Sequence, residues 1–598
     1  MLDVKKFPAE RARLLQPFVD PEIAALMVDG MSRLRSVHAL AVGWLRRHPE
    51  AAARCLLPAA LGKRGRARQN AVAGLRVIEA AGTDLVAVAT QTFGAGVGLA
   101  VKELMSDDGM GGYPRTMPTP PIWARAAVLP PVRVRAADGD ATLPPSAVQA
   151  IVEMLAISKS GAPYPGLDIV KEFCDGASLG EFAWALFVNW EQAGTSAKEK
   201  WAFEALGLLG DDTVVDRLVP LIKAWPGQGR QQLAGDALAV LAAVGGDRAL
   251  FNLRMLADKA SPNALRRKAR QWFEDVAESL DLSADQLADR VIPDLGLGPD
   301  GTLRLDYGPR HFDVGFDELL RPRIVDSGGK AVKTLPKPGR KDDQELATAS
   351  YQEFTALKKA ARTVTADQIK RMEQAMLTGR RWTPEDFASL VIPHPLLRPI
   401  ARRLVWGVYA DGALVGSFRV AEDLSYADVH DAHYTVPDDA VIGVVYPVDL
   451  GPALGEWSEV FADYEILQPF DQLGRPVLEL TRQERISHEL ARFNGFPTAP
   501  ALIAGLEARG WFRGPIGDGP MWSSILRPVG DERFVVAEFS PGIWEGAVTQ
   551  SAYQQFTRVW LSVVGEFPEF ERHSVRLSEL DVVTASEILR DLGEVVPL

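Results

Sequence analysis

The chain has 598 residues, 47% hydrophobic and 24% charged, with a formal net charge of −12. These are globular values, in a chain long enough for about four average domains with sizeable cores. The two cysteines, Cys55 and Cys174, stand outside any metal-ligand spacing, which excludes a disulfide framework or zinc ribbon, and the acidic balance disfavours generic binding to phosphate backbones.

The opening run, MLDVKKFPAERARLL, is charged and lacks the apolar centre of a secretory signal. Residues 1–105 read as a helical region, with Ile23, Leu26, Met27 and Leu34, then Leu75, Ile78 and Leu85, at helical spacing. Lys63, Arg64, Arg66 and Arg68 beside Gly62 and Gly65 read as a solvated loop. The uncharged run Leu85 to Val101 falls short of a membrane span and predicts a buried helix or helix pair. A cytoplasmic location is expected by elimination. Residues 106–145 hold Pro114, Pro118, Pro120, Pro121, Pro130 and Pro131, with Gly109, Gly111 and Gly112, and read as a connector.

Helices resume over 146–282 in a recurring unit. Trp201 to Leu209 is one helix, broken by Gly210-Asp211-Asp212. Val214, Val215, Leu218, Leu221 and Ile222 make the next stripe, ending at Trp225-Pro226-Gly227. Leu233 to Leu241 follows, then Gly245-Gly246-Asp247, then Ala249 to Leu256. Narrow stripes separated by Gly-Asp turns resemble HEAT-type repeats, in which neighbouring helix pairs must stack to bury their apolar faces. Ser178 sits in a GxSxG pattern, but its flanks are helical; with Glu181 it reads as a capping box rather than a nucleophile elbow.

Residues 283–480 read as helices plus short strands. Ser283 to Gln286 is a capping box, and Leu303–Leu305, His311–Val314 and Lys330–Leu335 are expected strands. Residues 340–380 return to helix, with a second capping box expected at Thr365 to Gln368, and Thr383-Pro384 opens another helix. Asp411-Gly412 between alternating apolar runs predicts a hairpin, and Val441 to Val448 a further strand. Residues 481–598 read as an α+β region ending in a helix over Leu577 to Leu592. The fold class is thus mainly α with a mixed α/β C-terminal part: a HEAT-like α-solenoid followed by an α+β domain.

No complete catalytic signature occurs. Gly328-Gly329-Lys330 does not complete a phosphate-binding loop, and Gly94, Gly96 and Gly98 do not spell a dinucleotide fingerprint. Asp428, His430, Asp431 and His433 could supply metal ligands, but their spacing suits a solvated loop. No cofactor or metal is expected. Two groups stand out as candidate binding residues. Asp306, Tyr307, Arg310 and His311 place acid, phenol, guanidinium and imidazole together, suited to an anion or a peptide carboxylate, or to a structural network. Arg381 and Trp382, with Arg380, Arg402, Arg403, Trp406 and His394, pair arginine with tryptophan, as protein contacts do.

Several strings are shared with a known family: IPDLGL at 292–297, LDYGPR at 305–310, KTLPKP at 333–338, RRLVWGVY at 402–409, LQPFDQLGR at 467–475 and LEARGWFRG at 506–514. On these the chain resembles the bacterial molybdate metabolism regulator-like proteins, which carry a C-terminal domain of unknown function. The resemblance runs from about Trp123 to the end and is best over 288–475. It implies a protein partner, a MoxR-type AAA+ ATPase or a von Willebrand factor A protein. Longer relatives carry a WGR module that this sequence lacks, so a nucleic-acid-sensing role borrowed through it has no basis. The expected function is a cytoplasmic scaffold or adaptor. The alternatives are an enzyme centred on Asp306, Tyr307, Arg310 and His311, or a transcription-linked regulator.

Overall fold

A computed structural model describes residues 15–33, 35–63, 65–106, 117–135, 141–158, 163–516, 520–530, 533–565 and 567–596. Leu34, Arg64, most of the opening run and much of the connector, including Pro114 and Gly109, Gly111 and Gly112, lie outside them. The chain divides into two compact units, Met1–Pro293 and Asp294–Leu598.

The first unit is helical. Helices α1 (Pro21–Arg33), α2 (Arg35–Arg47), α3 (Pro49–Ala60), α4 (Arg66–Ala80), α5 (Leu85–Phe93) and α6 (Ala95–Ser106) enclose a core that includes Met27, Trp44, Leu45, Leu56, Leu57, Leu75 and Ile78. The uncharged run forms a helix pair. Asp84 caps α5 by accepting from the Ala87 amide, and Gly94, at φ +94°, turns the chain into α6. No helix among the described residues is long and apolar enough to cross a membrane.

Among the described residues nine further helices follow: α7 (Pro145–Ile157), α8 (Gly166–Phe173), α9 (Gly176–Gln192), α10 (Trp201–Leu209), α11 (Asp212–Ala224), α12 (Gln231–Val244), α13 (Asp247–Lys259), α14 (Asn263–Ser279) and α15 (Ala284–Arg290). From α9 on, neighbours pack in the pairs α9–α10, α11–α12, α12–α13, α13–α14 and α14–α15, and alternate helices also touch: α10 on α12 and α12 on α14, α9 on α11, α11 on α13 and α13 on α15. Close approach needs small residues. A Cβ on Gly207 would lie 2.9 Å from the Ala243 Cβ, between α10 and α12. Phe187, Trp190, Phe203 and Trp225 fill the space between α9, α10 and the end of α11 with stacked and edge-on rings. The capping box at Ser283 is present. That at Ser178 is not. Asp175 caps α9 by accepting from the Ser178 amide at 2.9 Å, and the Ser178 hydroxyl accepts from the Arg133 amide at 3.0 Å. The helix begins at Gly176, so Asp175 is its N-cap and Ser178 already lies within the first turn.

Among its described residues the second unit mixes helices with three antiparallel sheets. Strands β1 (Thr302–Asp306), β2 (His311–Phe316) and β3 (Pro322–Asp326) form the first. The third strand lies earlier than the expected Lys330–Leu335, which contributes only an isolated bridge, Ala331 to Val325. Pro336 and Pro338 lack amide donors, which limits laddering there. Helix α16 (Gln344–Thr378) runs for 35 residues. Asp343 caps it by accepting from Glu345 and Leu346, and Gly379, at φ +66°, ends it. Ala347, Phe354, Leu357, Ala361, Val364, Met372 and Met376 give one buried face. The capping box expected at Thr365 therefore falls inside a continuous helix, because that face has no interruption. The Thr383 cap and Pro384 start are present.

The second sheet is ordered β6-β5-β4-β7: β4 (Trp406–Ala410), β5 (Ala413–Val420), β6 (Tyr426–Ala427) and β7 (Val441–Val444). Asp411 at φ +49° and Gly412 at φ +80° make the tight β4–β5 turn. Helix α17 (Ala453–Asp463) follows. The third sheet is ordered β13-β12-β11-β10-β9, with β8 (Pro497–Thr498) also on β12: β9 (Phe512–Arg513), β10 (Met521–Val529), β11 (Arg533–Trp544), β12 (Gln554–Ser562) and β13 (Ser574–Val575). Helix α18 (Val582–Val595) adds Ile588, Leu589, Leu592 and Val595 to the core of Phe493, Trp511, Ile525, Val535, Phe539 and Leu561.

Gly207→Val is expected to destabilise the chain by about 1–3 kcal/mol through overpacking between α10 and α12, read by urea unfolding. Gly227→Ala, with open space at its Cβ, should leave the transition in place.

Candidate functional site

The first candidate group forms at the β1–β2 turn. Tyr307 is fully buried; its hydroxyl donates to the Pro336 carbonyl at 2.9 Å, and its ring meets Phe312 edge-on at 5.0 Å. Burial pushes its pKa up. Arg310 lies over both rings, 5.5 and 5.2 Å from their centroids. Its Nε and Nη2 each donate to Asp342 at 2.8 Å, and Asp342 also accepts from the Gly339 amide at 2.7 Å. The guanidinium and that amide hold the Asp342 carboxyl below the usual aspartate range. Asp306 accepts from the Gly308 amide at 2.7 Å, and its carbonyl accepts from the Ser350 hydroxyl at 2.8 Å. His311 pairs with Asp306 across the strands. The group clamps a hairpin to the KTLPKP segment and to the start of α16. Arg310, the candidate anion ligand, already has a bidentate carboxylate partner.

The second group is built on β4 and β7. Trp382 exchanges two backbone hydrogen bonds with Ile442 at 2.8 and 2.9 Å, and its ring meets Trp406 edge-on at 5.9 Å. Arg380 lies over Trp382 at 4.7 Å, and Arg381 over Tyr409 at 3.6 Å. The His394 Nδ1 accepts from the Leu396 and Leu397 amides at 3.2 and 3.3 Å, fixing the turn before Arg398–Ala401. Arg402 pairs with Glu318 and Glu422, and Arg403 donates to the carbonyls of Pro399 and Leu467. The loop with the two histidines is likewise internally bonded. Asp428 accepts from the His430 and Ala432 amides at 2.9 Å, and Asp431 takes Arg419 at 2.6 Å and the Tyr464 hydroxyl.

Two further clusters were not marked by local sequence pattern. The Gln472 amide is fully buried: it accepts from the Val405 amide at 3.0 Å and donates to the carbonyls of Val405 and Val445 at 2.8 and 2.9 Å. Three residues on, Arg475 is 1% exposed and Glu587 2%. The Arg475 Nε and Nη2 donate to the two Glu587 oxygens at 2.7 and 2.8 Å, and Nη1 to Glu373 on α16 at 2.8 Å. Tyr446 donates to Glu587 at 3.0 Å, and Arg590 adds a contact at 2.8 Å. Burial alone would raise the Glu587 pKa; Arg475 and Arg590 outweigh it and hold the carboxyl below its ordinary range. One turn along α18, Asp591 accepts from Trp511 Nε1 at 2.9 Å and from Arg527 and Arg509. The one signal that pointed here was the shared string LQPFDQLGR, which contains both Gln472 and Arg475.

The same string lines an open groove of about 650 Å³ between α17 and the Gln472 loop. Phe461, Ala462, Ile466, Leu467 and Leu473 supply apolar walls, with Ser458, Glu465 and Gln468 as polar points. Leu467 is 63% exposed, while its carbonyl is bonded to buried Arg403. An apolar side chain is thus displayed on a fixed backbone. The arrangement suits binding of an apolar side chain better than bond-making chemistry.

Residues 329–511 match the family described as "Domain of unknown function (DUF4132)". Over 596 residues the chain is 33% identical to "Uncharacterized protein YehI" of Escherichia coli (strain K12), an alignment covering 97% of this chain and 47% of that protein. The chain spans about half the length of the curated relative it matches. No solved structure matches. These likenesses support a bacterial family of unknown function.

Glu587→Leu is expected to cost about 3–5 kcal/mol, because it leaves buried Arg475 short of its main partner. The double variant R475M/E587L should recover much of that loss in a urea double-mutant cycle. The folded-state pKa of Glu587 is depressed, so its contribution is present above the unfolded value of about 4.3 and is lost as pH falls through the folded value. The stability gap between wild type and Glu587→Gln should therefore be widest near neutrality and shrink below about pH 4, followed by urea melts across that range.

Proposed function

We propose that the chain is a cytoplasmic protein-interaction scaffold or adaptor. The observation that carries this reading is the packing of α9 to α15, in which alternate helices touch throughout and neighbours pack at every step but α10 to α11. Contacts between alternate helices suit a HEAT-like α-solenoid, a form that offers extended surfaces to other molecules. The groove beside Leu467 adds a local docking point in the second unit. The resemblance to molybdate metabolism regulator-like proteins suggests the partner: a MoxR-type AAA+ ATPase, with or without a von Willebrand factor A protein.

An enzyme centred on Asp306, Tyr307, Arg310 and His311 is less well supported. Arg310 and Tyr307 already serve Asp342 and Pro336, and the groove is lined by other residues. A transcription-linked role through direct DNA contact is disfavoured by the net charge of −12.

Tagged full-length chain, co-expressed with an AAA+ ATPase and a von Willebrand factor A protein encoded in the same genome, should elute with at least one of them in stoichiometric amount. Leu467→Glu should weaken that complex if the groove takes part. A chain that elutes alone, as a monomer, under every nucleotide condition would contradict the proposal.

A further inference from the structure

Residues 321–341 hold Arg321, Arg323, Lys330, Lys333, Lys337, Arg340 and Lys341 against one acid, Asp326. Seven cations less one anion give this stretch +6, so the other residues of a −12 chain together carry −18. All seven cations are exposed, and none forms an ion pair among the described residues. The nearby acids are occupied. Asp326 accepts from the Gly328 and Lys330 amides at 3.0 and 2.9 Å, and Asp317 from the Arg321 amide at 2.7 Å. Glu318 pairs with Arg402, Asp342 with Arg310, and Asp343 caps α16.

The backbone beneath these cations is held in place. The Val332 amide donates to the Ile324 carbonyl at 3.0 Å, Leu335 is buried, Pro336 accepts from Tyr307, and the Gly339 amide donates to Asp342. Pro336 and Pro338 fix φ on either side of Lys337. The Tyr307–Arg310–Asp342 network thus acts as the underside of a cationic strip. Little ordering remains to oppose binding beyond that of the lysine side chains.

We infer that this strip is a docking surface for a short acidic segment of a partner protein. The inference rests on the scaffold reading and names the partner's chemistry. Two observations favour an acidic peptide over nucleic acid. No aromatic residue occurs between Phe316 and Tyr351, so the strip has no platform for stacking bases. From Lys333 to Lys341 an extended chain reaches at most about 27 Å. A longer polyanion would project past it toward a chain that is otherwise strongly negative and would be repelled. A run of Asp and Glu of matching length meets only the attraction.

The test uses the full chain and a fluorescein-labelled peptide of about a dozen glutamates, followed by anisotropy. Wild type should bind, and raising salt from about 50 to about 200 mM should weaken the complex. K333E/K337E/K341E should weaken it at least about tenfold. K259E/R267E/R270E makes the same change in net charge on α13 and α14 and should alter binding less than about twofold. Equal effects of the two triple variants, no peptide binding, or tighter binding of a duplex of about 20 base pairs through the strip would overturn the inference. If the peptide binds as expected and the ATPase does not co-purify, the partner assignment falls and the strip stands.

Discussion

A guanidinium shared by two carboxylates organises the second unit. Arg475 reaches Glu587 on the last helix and Glu373 on the longest one, while its own segment is pinned to the second sheet by the Gln472 amide. Burying such ions costs desolvation that a single contact does not offset. Here the acceptor positions are filled: Glu587 takes Arg475, Arg590 and Tyr446. Asp591, one turn on, repeats the device with Trp511, Arg509 and Arg527. The effect is register. Any slip of α18 would leave two buried carboxylates and their arginines unpaired, so the helix has one seat.

That arrangement divides the polar residues by task. Groups that look reactive in a linear reading, such as Asp306, Tyr307 and Arg310, or Asp428 and Asp431, are bonded to one another, to turn amides or to buried partners. Among the groups left facing solvent are apolar Leu467 and the cations over 321–341. Rigid polar networks lie underneath, and the exposed surfaces lie on top of them.

Much of the secondary structure was legible because its signals are local. Gly94 splits an apolar run into two helices, Asp411-Gly412 turns a hairpin, and Ser283 with Gln286 opens a helix by direct side-chain to backbone bonds. Local reasoning failed where competition decides. Asp175 caps a helix that begins two residues before Ser178. Thr365 lies on a face whose apolar spacing carries the helix through it. The third strand of the first sheet moved from 330–335 to Pro322–Asp326, since prolines limit laddering at the later position. The buried clusters were out of reach for another reason. Arg475 and Glu587 are separated by 112 residues, and no periodicity links an arginine in a loop to a glutamate on a distant helix. Only the shared string around Gln472 and Arg475 marked the place, without saying what it does.

Native-state hydrogen exchange tests most directly whether the last helix is locked into the unit by its buried carboxylates. If it is, the amides of α18, the core of α16 and β4–β7 open together, at one free energy close to that of global unfolding of the second unit. Exchange of α18 in a separate, lower-energy step, with α16 and β4–β7 still protected, would show that Glu587 and Asp591 only decorate a unit held together by other means.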